Sequence, residues 1–223
     1  MVELLQTLER TGYAVVARVL SPDDCALAAS RVQANSGAGK RCMLAQSWCA
    51  ALAGRLQAHA ALGALIGADM VAVQCTWFEK SAQRNWLVPL HQDLSIPVAE
   101  RVQDPALSGW SVKDAMQFVH APPEVLEKLV AVRIHLDPCG VDDGPLRVVP
   151  GSHKHGVLSD EQAMALRAAD GETVCALPAG SALVMRPLLL HASSKGSGAS
   201  ARRVLHFVFG PHALPHGLRW CDA

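Results

Sequence analysis

Val130-Ala131-Val132-Arg133-Ile134-His135-Leu136 has a side-chain pattern of period two, and so has Arg202-Arg203-Val204-Leu205-His206-Phe207-Val208-Phe209. Such alternation belongs to β-strands, because successive side chains of an extended chain point to opposite faces. In the first stretch Ala131, Arg133 and His135 share one face, against Val130, Val132, Ile134 and Leu136. In the second, Arg202, Val204, His206 and Val208 oppose Arg203, Leu205, Phe207 and Phe209. A sheet of these strands offers an apolar face for helices to cover and a mixed polar face that can line a pocket or meet water. Arg203 falls on the apolar face, where its stem can snorkel.

Outward from these stretches, further strand-like pieces fall at 70–78, 87–93, 145–149, 173–177 and 181–186, punctuated by Gly and Pro. Helices dominate before Asp69. A short helix opens the chain and a strand follows at Tyr13–Leu20. Ser21-Pro22-Asp23-Asp24 supplies an N-cap, a proline and first-turn acids, so it starts a helix that should reach Gln33 and stop in 35–39. The Ala- and Leu-rich segment 43–66 reads as helix, interrupted near Gly54 and Gly63. Two more helices are expected, at Pro123–Leu129 and from Ser159, with Gln162 completing a capping box, to before Gly171. No regular strand–helix alternation calls for a parallel sheet. The expected fold is mainly β, an antiparallel barrel or jelly roll with packed helices. It forms one domain over 1–223, with helices mainly in 1–69 and the barrel core mainly in 70–210.

Composition agrees with a packed enzyme-sized unit. Half of the 223 residues are hydrophobic and 18% are charged, which excludes a disordered chain. Twenty basic residues balance twenty acidic ones, so no net field points to nucleic acid or a membrane surface as partner. No apolar run approaches the roughly 18 residues that span a bilayer, and the first residues lack a secretory pattern. The seven cysteines form no C-x-x-C and read as reduced thiols. The expectation is a cytoplasmic protein acting on a small molecule.

His91-Gln92-Asp93 places an imidazole and a carboxylate on one face if extended, about 6–7 Å apart at Cα. Such a pair can hold a divalent metal. His191 adds a second imidazole where the apolar run 181–190 opens into the Gly/Ser-rich loop 192–200. Two His and one carboxylate form the facial triad of non-haem Fe(II) oxygenases, although the same donors suit Zn or Mn. Arg202, eleven residues beyond His191, would be costly inside a barrel unless paired. A bound carboxylate would satisfy it.

His91-Gln92-Asp93, Gly144-Pro145-Leu146-Arg147-Val148-Val149-Pro150-Gly151-Ser152-His153 with Gly156, then His191 and Arg202, resemble the phytanoyl-CoA dioxygenase family, and its compact bacterial members in particular. The resemblance runs from about Gly12 to Phe209. It implies a double-stranded β-helix (jelly roll, cupin-like) and an Fe(II)- and 2-oxoglutarate-dependent dioxygenase. Such an enzyme hydroxylates a small organic substrate with O2 and releases succinate and CO2. His91, Asp93 and His191 would bind iron, and Arg202 the distal carboxylate of 2-oxoglutarate. Ser193 matches a position that assists the cosubstrate, and Thr76 and Trp110 match further contacts. Asp93 stands where related halogenases have a small residue, which favours hydroxylation or another oxidation over halogenation. His153 belongs to a structural turn and takes no metal.

Substrate selection is expected in 79–121 and around 192–201. Lys80, Trp86 and Arg133 are the candidate substrate contacts, with an acidic or polar substrate implied by Arg133 and His135 facing inward. His206 packs or hydrogen-bonds inside the barrel. Two other readings stand beside this one. A metal-dependent hydrolase on the same barrel would leave Arg202 without a role. A non-catalytic ligand-sensing module would keep the barrel without turnover.

Overall fold

A computed structural model describes residues 1–32, 39–197 and 201–221. The chain opens with α1 (Val2–Thr11), β1 (Tyr13–Val16), α2 (Pro22–Ser30), β2 (Gly39–Lys40), α3 (Ser47–Ala58) and α4 (Ala60–Ile66). Strands follow: β3 (Met70–Lys80), β4 (Val88–His91), β5 (Ser95–Val98), β6 (Ser108–Lys113) and β7 (Met116–His120). After α5 (Pro123–Leu126) come β8 (Val130–His135) and β9 (Leu146–Val148). The last elements are α6 (Asp160–Asp170), β10 (Thr173–Cys175), β11 (Ala182–Met185), β12 (His191–Ser193) and β13 (Arg202–Pro211).

Two antiparallel sheets make the jelly roll. The larger has the order β1-β11-β8-β13-β3-β2, the smaller β10-β9-β12-β4. The period-two pattern of β8 and β13 lands as its chemistry requires. Val130, Val132, Ile134, Leu205, Phe207 and Phe209 join a buried cluster with Leu8, Cys25, Leu52, Leu56 and Leu62 from the four N-terminal helices. The opposite face, with Arg133, His135, Arg202 and His206, turns to the space between the sheets and is buried as well. Arg203, on the helix side, is bidentate to Asp137 at 2.7 Å for both bonds, a stronger arrangement than a snorkelling stem.

Several boundaries differ from the sequence expectations. The helix break in 43–66 falls at His59, not at the glycines. His59 is extended, and its Nδ1 accepts from the Leu62 N–H, so it caps α4. Gly54 sits inside α3 with open space around it. Gly63 is glycine because a Cβ there would lie 2.3 Å from the Gln57 carbonyl oxygen, where α3 and α4 meet. α2 is capped by Ser21 as expected but ends at Ser30, before the expected Gln33; of the expected stop segment 35–39, residues 35–38 lie outside the described residues and Gly39 begins β2. The run 181–190 is not one strand: β11 ends at Met185, and His191 begins a new strand after a turn. A third sheet, β5-β7-β6, was not expected. No single helix among the described residues is long and apolar enough to cross a membrane.

Candidate metal and cosubstrate site

β4 and β12 are hydrogen-bonded neighbours, and His91 and His191 are register partners across them. Their rings stand 4.2 Å apart centre to centre. Each imidazole is oriented by its own strand. His91 Nδ1 donates to the Pro89 carbonyl and His191 Nδ1 to the Leu189 carbonyl, both at 2.9 Å. A carbonyl only accepts, so each Nδ1 carries a proton and each Nε2 points inward, where the neutral ring offers a lone pair. Asp93 meets them: its carboxylate oxygens lie 3.6 Å from His91 Nε2 and 3.7 Å from His191 Nε2. One donor atom from each of the three residues lies within 4.8 Å of the others.

Asp93 does not belong to the strand that carries His91, contrary to a continuous run over 87–93. Its N–H donates to the Pro187 carbonyl at 2.9 Å, which ties the post-strand segment to the turn before β12. Gln92 points the other way and fastens three backbone groups. Its Nε2 donates to the Gly156 and Leu188 carbonyls at 2.8 and 2.7 Å, and its Oε1 accepts from the Leu158 N–H at 2.9 Å. Period two could have placed Gln92 opposite the pair, but its partners lie too far along the chain to be read. Burial opposes the charge of Asp93, yet the imidazoles of His191, His91 and His206 hold its carboxyl well below the usual range. Burial pushes His191 down, so it stays a neutral donor.

His206 completes the surround, with Nε2 3.9 Å from Asp93. Burial pushes its pKa down to about 4, against the pull of Asp93. The sequence reading had it inside the barrel but not beside the carboxylate.

Around these groups lies a cavity of about 480 Å³ between the two sheets. The register of the larger sheet maps its floor. Lys80 faces Arg202; Phe78, Val204 and His135 form the next row; Thr76, His206 and Arg133 the next. Arg202 is 2% exposed, and its Nε and Nη1 have no partner. Among the described residues no carboxylate is within ion-pair distance of it. Lys80 donates from Nζ to Ser193 Oγ at 2.6 Å and to the Ser194 carbonyl at 2.5 Å. Burial, then Arg202 and Arg133, push it down to about 8. Ser193 Oγ in turn donates to the Gly144 carbonyl at 2.9 Å. Gly144 has φ 62° and is pressed against the 194–196 backbone, where a Cβ would meet the Ser194 oxygen at 2.4 Å.

Thr76, Trp86, Lys80, Arg133, Ser193 and Arg202 all line this cavity together with His91, Asp93 and His191. Trp86 lies at its side under the Lys80 ammonium, 5.5 Å from the ring centre. Trp110 is not among the lining residues; it packs on the apolar cluster of Ile96, Val119 and Leu126 and stacks with Arg101. Among the described residues the His-Asp-His group is the one cluster of three or more such side chains close enough to share a metal.

A family model described as phytanoyl-CoA dioxygenase matches residues 8–204. No curated protein sequence matches the chain. Solved structures are similar over almost all of it. AviO1 from Streptomyces viridochromogenes Tue57 is 22% identical with a TM-score of 0.65, covering 96% of each chain. HygX from Streptomyces hygroscopicus, solved with nickel and 2-oxoglutarate bound, is 19% identical with a TM-score of 0.66, covering 100% of this chain and 95% of its own. EctD from S. alaskensis, solved with 2-oxoglutarate and 5-hydroxyectoine, is 19% identical with a TM-score of 0.69, covering 95% and 76%. At these identities the likeness establishes the fold, a cupin-type double-stranded β-helix.

Proposed function

The chain belongs to the phytanoyl-CoA dioxygenase family, and from that premise we propose that it is an Fe(II)- and 2-oxoglutarate-dependent dioxygenase that hydroxylates a small organic substrate, with succinate and CO2 as coproducts. The observation that carries this reading is one cavity holding two inward Nε2 atoms, an ionised carboxylate and a guanidinium whose Nε and Nη1 have no partner.

The donor set fits the metal. Two neutral imidazoles and a carboxylate are borderline-to-hard ligands that suit Fe(II) and leave coordination positions open on one side. His91, Asp93 and His191 would hold it. The cosubstrate fits Arg202, whose planar fork matches a carboxylate bidentately and whose buried charge otherwise lacks a counter-ion. Bound iron would activate O2, the oxidant, while 2-oxoglutarate would give up two electrons on decarboxylation, so that one oxygen atom would end in succinate and the other in a substrate C–H bond.

The chain's own groups set the conditions. The Pro89 and Leu189 carbonyls hold Nδ1 protonated and aim Nε2 inward. Against the effect of burial, Asp93 beside His91 raises that ring's pKa, so metal binding would compete with a proton there. Lys80 keeps the Ser193 hydroxyl and the 193–194 backbone in place beside Arg202. Thr76, whose hydroxyl accepts from Gln74 at 3.2 Å, and Ser193 would contact the cosubstrate. Lys80 and Trp86 would border the substrate, and the burial of the floor row excludes water. A zinc hydrolase would leave Arg202 without a task.

The test is succinate formation from 2-oxoglutarate under air by protein loaded with Fe(II), which this enzyme class supports slowly even without substrate. Iron-dependent succinate that disappears with Asp93→Ala is the expected result. No succinate from protein shown to bind iron would contradict it.

A further inference from the structure

The charge on the cavity wall is lopsided. Its lining includes Arg41, Lys80, Lys113, Arg133 and Arg202 but a single acid, Asp93, in a chain with twenty positive and twenty negative side chains. Most of these cations have an occupation. Arg41 pairs with Asp114 at 3.2 Å. Lys80 is bonded to Ser193 and Ser194. Lys113 lies over the Phe118 ring at 5.0 Å. Arg202 is assigned to the cosubstrate above.

Arg133 is left over. It is 6% exposed, its Nε has no partner, and no carboxylate among the described residues is within ion-pair distance. Its guanidinium carbon lies 5.6 Å from the centre of the Phe78 ring, a contact that orients it without neutralising it. In the floor of the cavity Arg133 is the register partner of His206, whose Nε2 is 3.9 Å from Asp93. Arg133 therefore springs from the row that leads to the candidate metal ligands, two rows from Arg202, and its guanidinium lies against Phe78 of the row between them. A buried, unpaired guanidinium is expensive and is kept where a ligand supplies the counter-charge. The wall also carries the apolar Phe78, Leu129, Ala131, Leu146 and Val208, together with polar groups such as Gln74, Thr76 and Ser95.

We propose that Arg133 anchors a carboxylate on the substrate, so that the enzyme takes a small organic acid. The inference rests on the oxygenase reading, with Arg202 already matched by 2-oxoglutarate and Asp93 by the metal. One singly charged planar anion then balances Arg133, and two parallel N–H bonds fix its orientation relative to the metal ligands.

The experiment uses full-length protein loaded with Mn(II) and saturating 2-oxoglutarate, with acetate and acetamide as probes. The readout is the paramagnetic relaxation of their methyl protons. In wild-type protein acetate should relax several-fold faster than acetamide, which has the same size without the charge. Arg133→Gln should abolish that contrast while 2-oxoglutarate binding keeps its midpoint. Arg133→Lys, which keeps the charge but not the fork, should retain part of it and guards against a folding defect. Equal relaxation of the two probes in wild-type protein would overturn the proposal, and so would a contrast that survives Arg133→Gln. A several-fold weaker 2-oxoglutarate midpoint in Arg133→Gln would instead make Arg133 a second clamp on the cosubstrate. Wild-type protein that binds neither Mn(II) nor 2-oxoglutarate would overturn the oxygenase reading, and this inference with it; that failure is read from the binding curves before either probe is added.

Discussion

Two backbone carbonyls decide what His91 and His191 can do. Because Pro89 and Leu189 accept from Nδ1, both rings offer Nε2 to the same point, where Asp93 arrives from the segment after β4. Gln92 holds that segment. Removing its amide leaves the Leu158 N–H and the Gly156 and Leu188 carbonyls without their partner. Gln92→Ala is therefore expected to weaken metal affinity about 10–100-fold while the fold persists, the usual scale for a group that orients ligands. Calorimetric titration with Mn(II) measures it, and an unchanged Kd would show that Asp93 is held by Pro187 alone. The H-x-D spacing, the apolar run before His191, the step of eleven residues to Arg202 and the family resemblance made His91, Asp93, His191 and Arg202 legible as candidates. The place of His206 against Asp93 was not legible, since it depends on how far β13 and the post-β4 segment approach one another. Trp110 shows the reverse: a position carried over by resemblance lies on an apolar cluster instead of the cavity wall.

At the scale of elements, strict alternation was the reliable signal. β8 and β13 were read from it with nearly their observed limits, and the helix-facing residues are those with the apolar parity. Phe207, 0% exposed at the centre of that face, should cost about 3–5 kcal/mol when changed to Ala, measured as a urea midpoint shift at constant m. A loss below 1 kcal/mol would mean that the helices do not pack there as described. The sheet β5-β7-β6 escaped notice for local reasons. Pro97 interrupts β5, which is tolerated because that strand is an edge, and Gly109 breaks the alternation of β6 near a register shift against β7. His59 escaped because a capping histidine looks like any other in a helix-rich segment, whereas the two glycines nearby look like breaks.

For the molecule as a whole, a net charge of zero conceals a cationic interior. His135 lies within it, 0% exposed, and burial followed by Arg133 and Arg202 pushes its pKa down to about 3. The folded protein keeps this ring neutral while the unfolded chain takes up a proton near pH 6.5, so the unfolded state binds more protons between the two values. Stability of the ligand-free protein should fall as pH drops below about 6.5, by about 1.4 kcal/mol per pH unit from this group. His135→Leu should flatten that slope in urea unfolding between pH 7 and pH 5; an unaltered slope would place the acid sensitivity elsewhere. The same interior makes the cosubstrate the element on which everything else depends. The direct measurement is an anaerobic absorption titration of the protein with Fe(II) and then 2-oxoglutarate, for wild type, His91→Ala and Arg202→Ala. A weak visible charge-transfer band should appear only when both are present, vanish with His91→Ala, and need about 10–100-fold more 2-oxoglutarate with Arg202→Ala. Iron binding without any such band, or a band indifferent to Arg202→Ala, would contradict the assignment of this cavity to iron and 2-oxoglutarate.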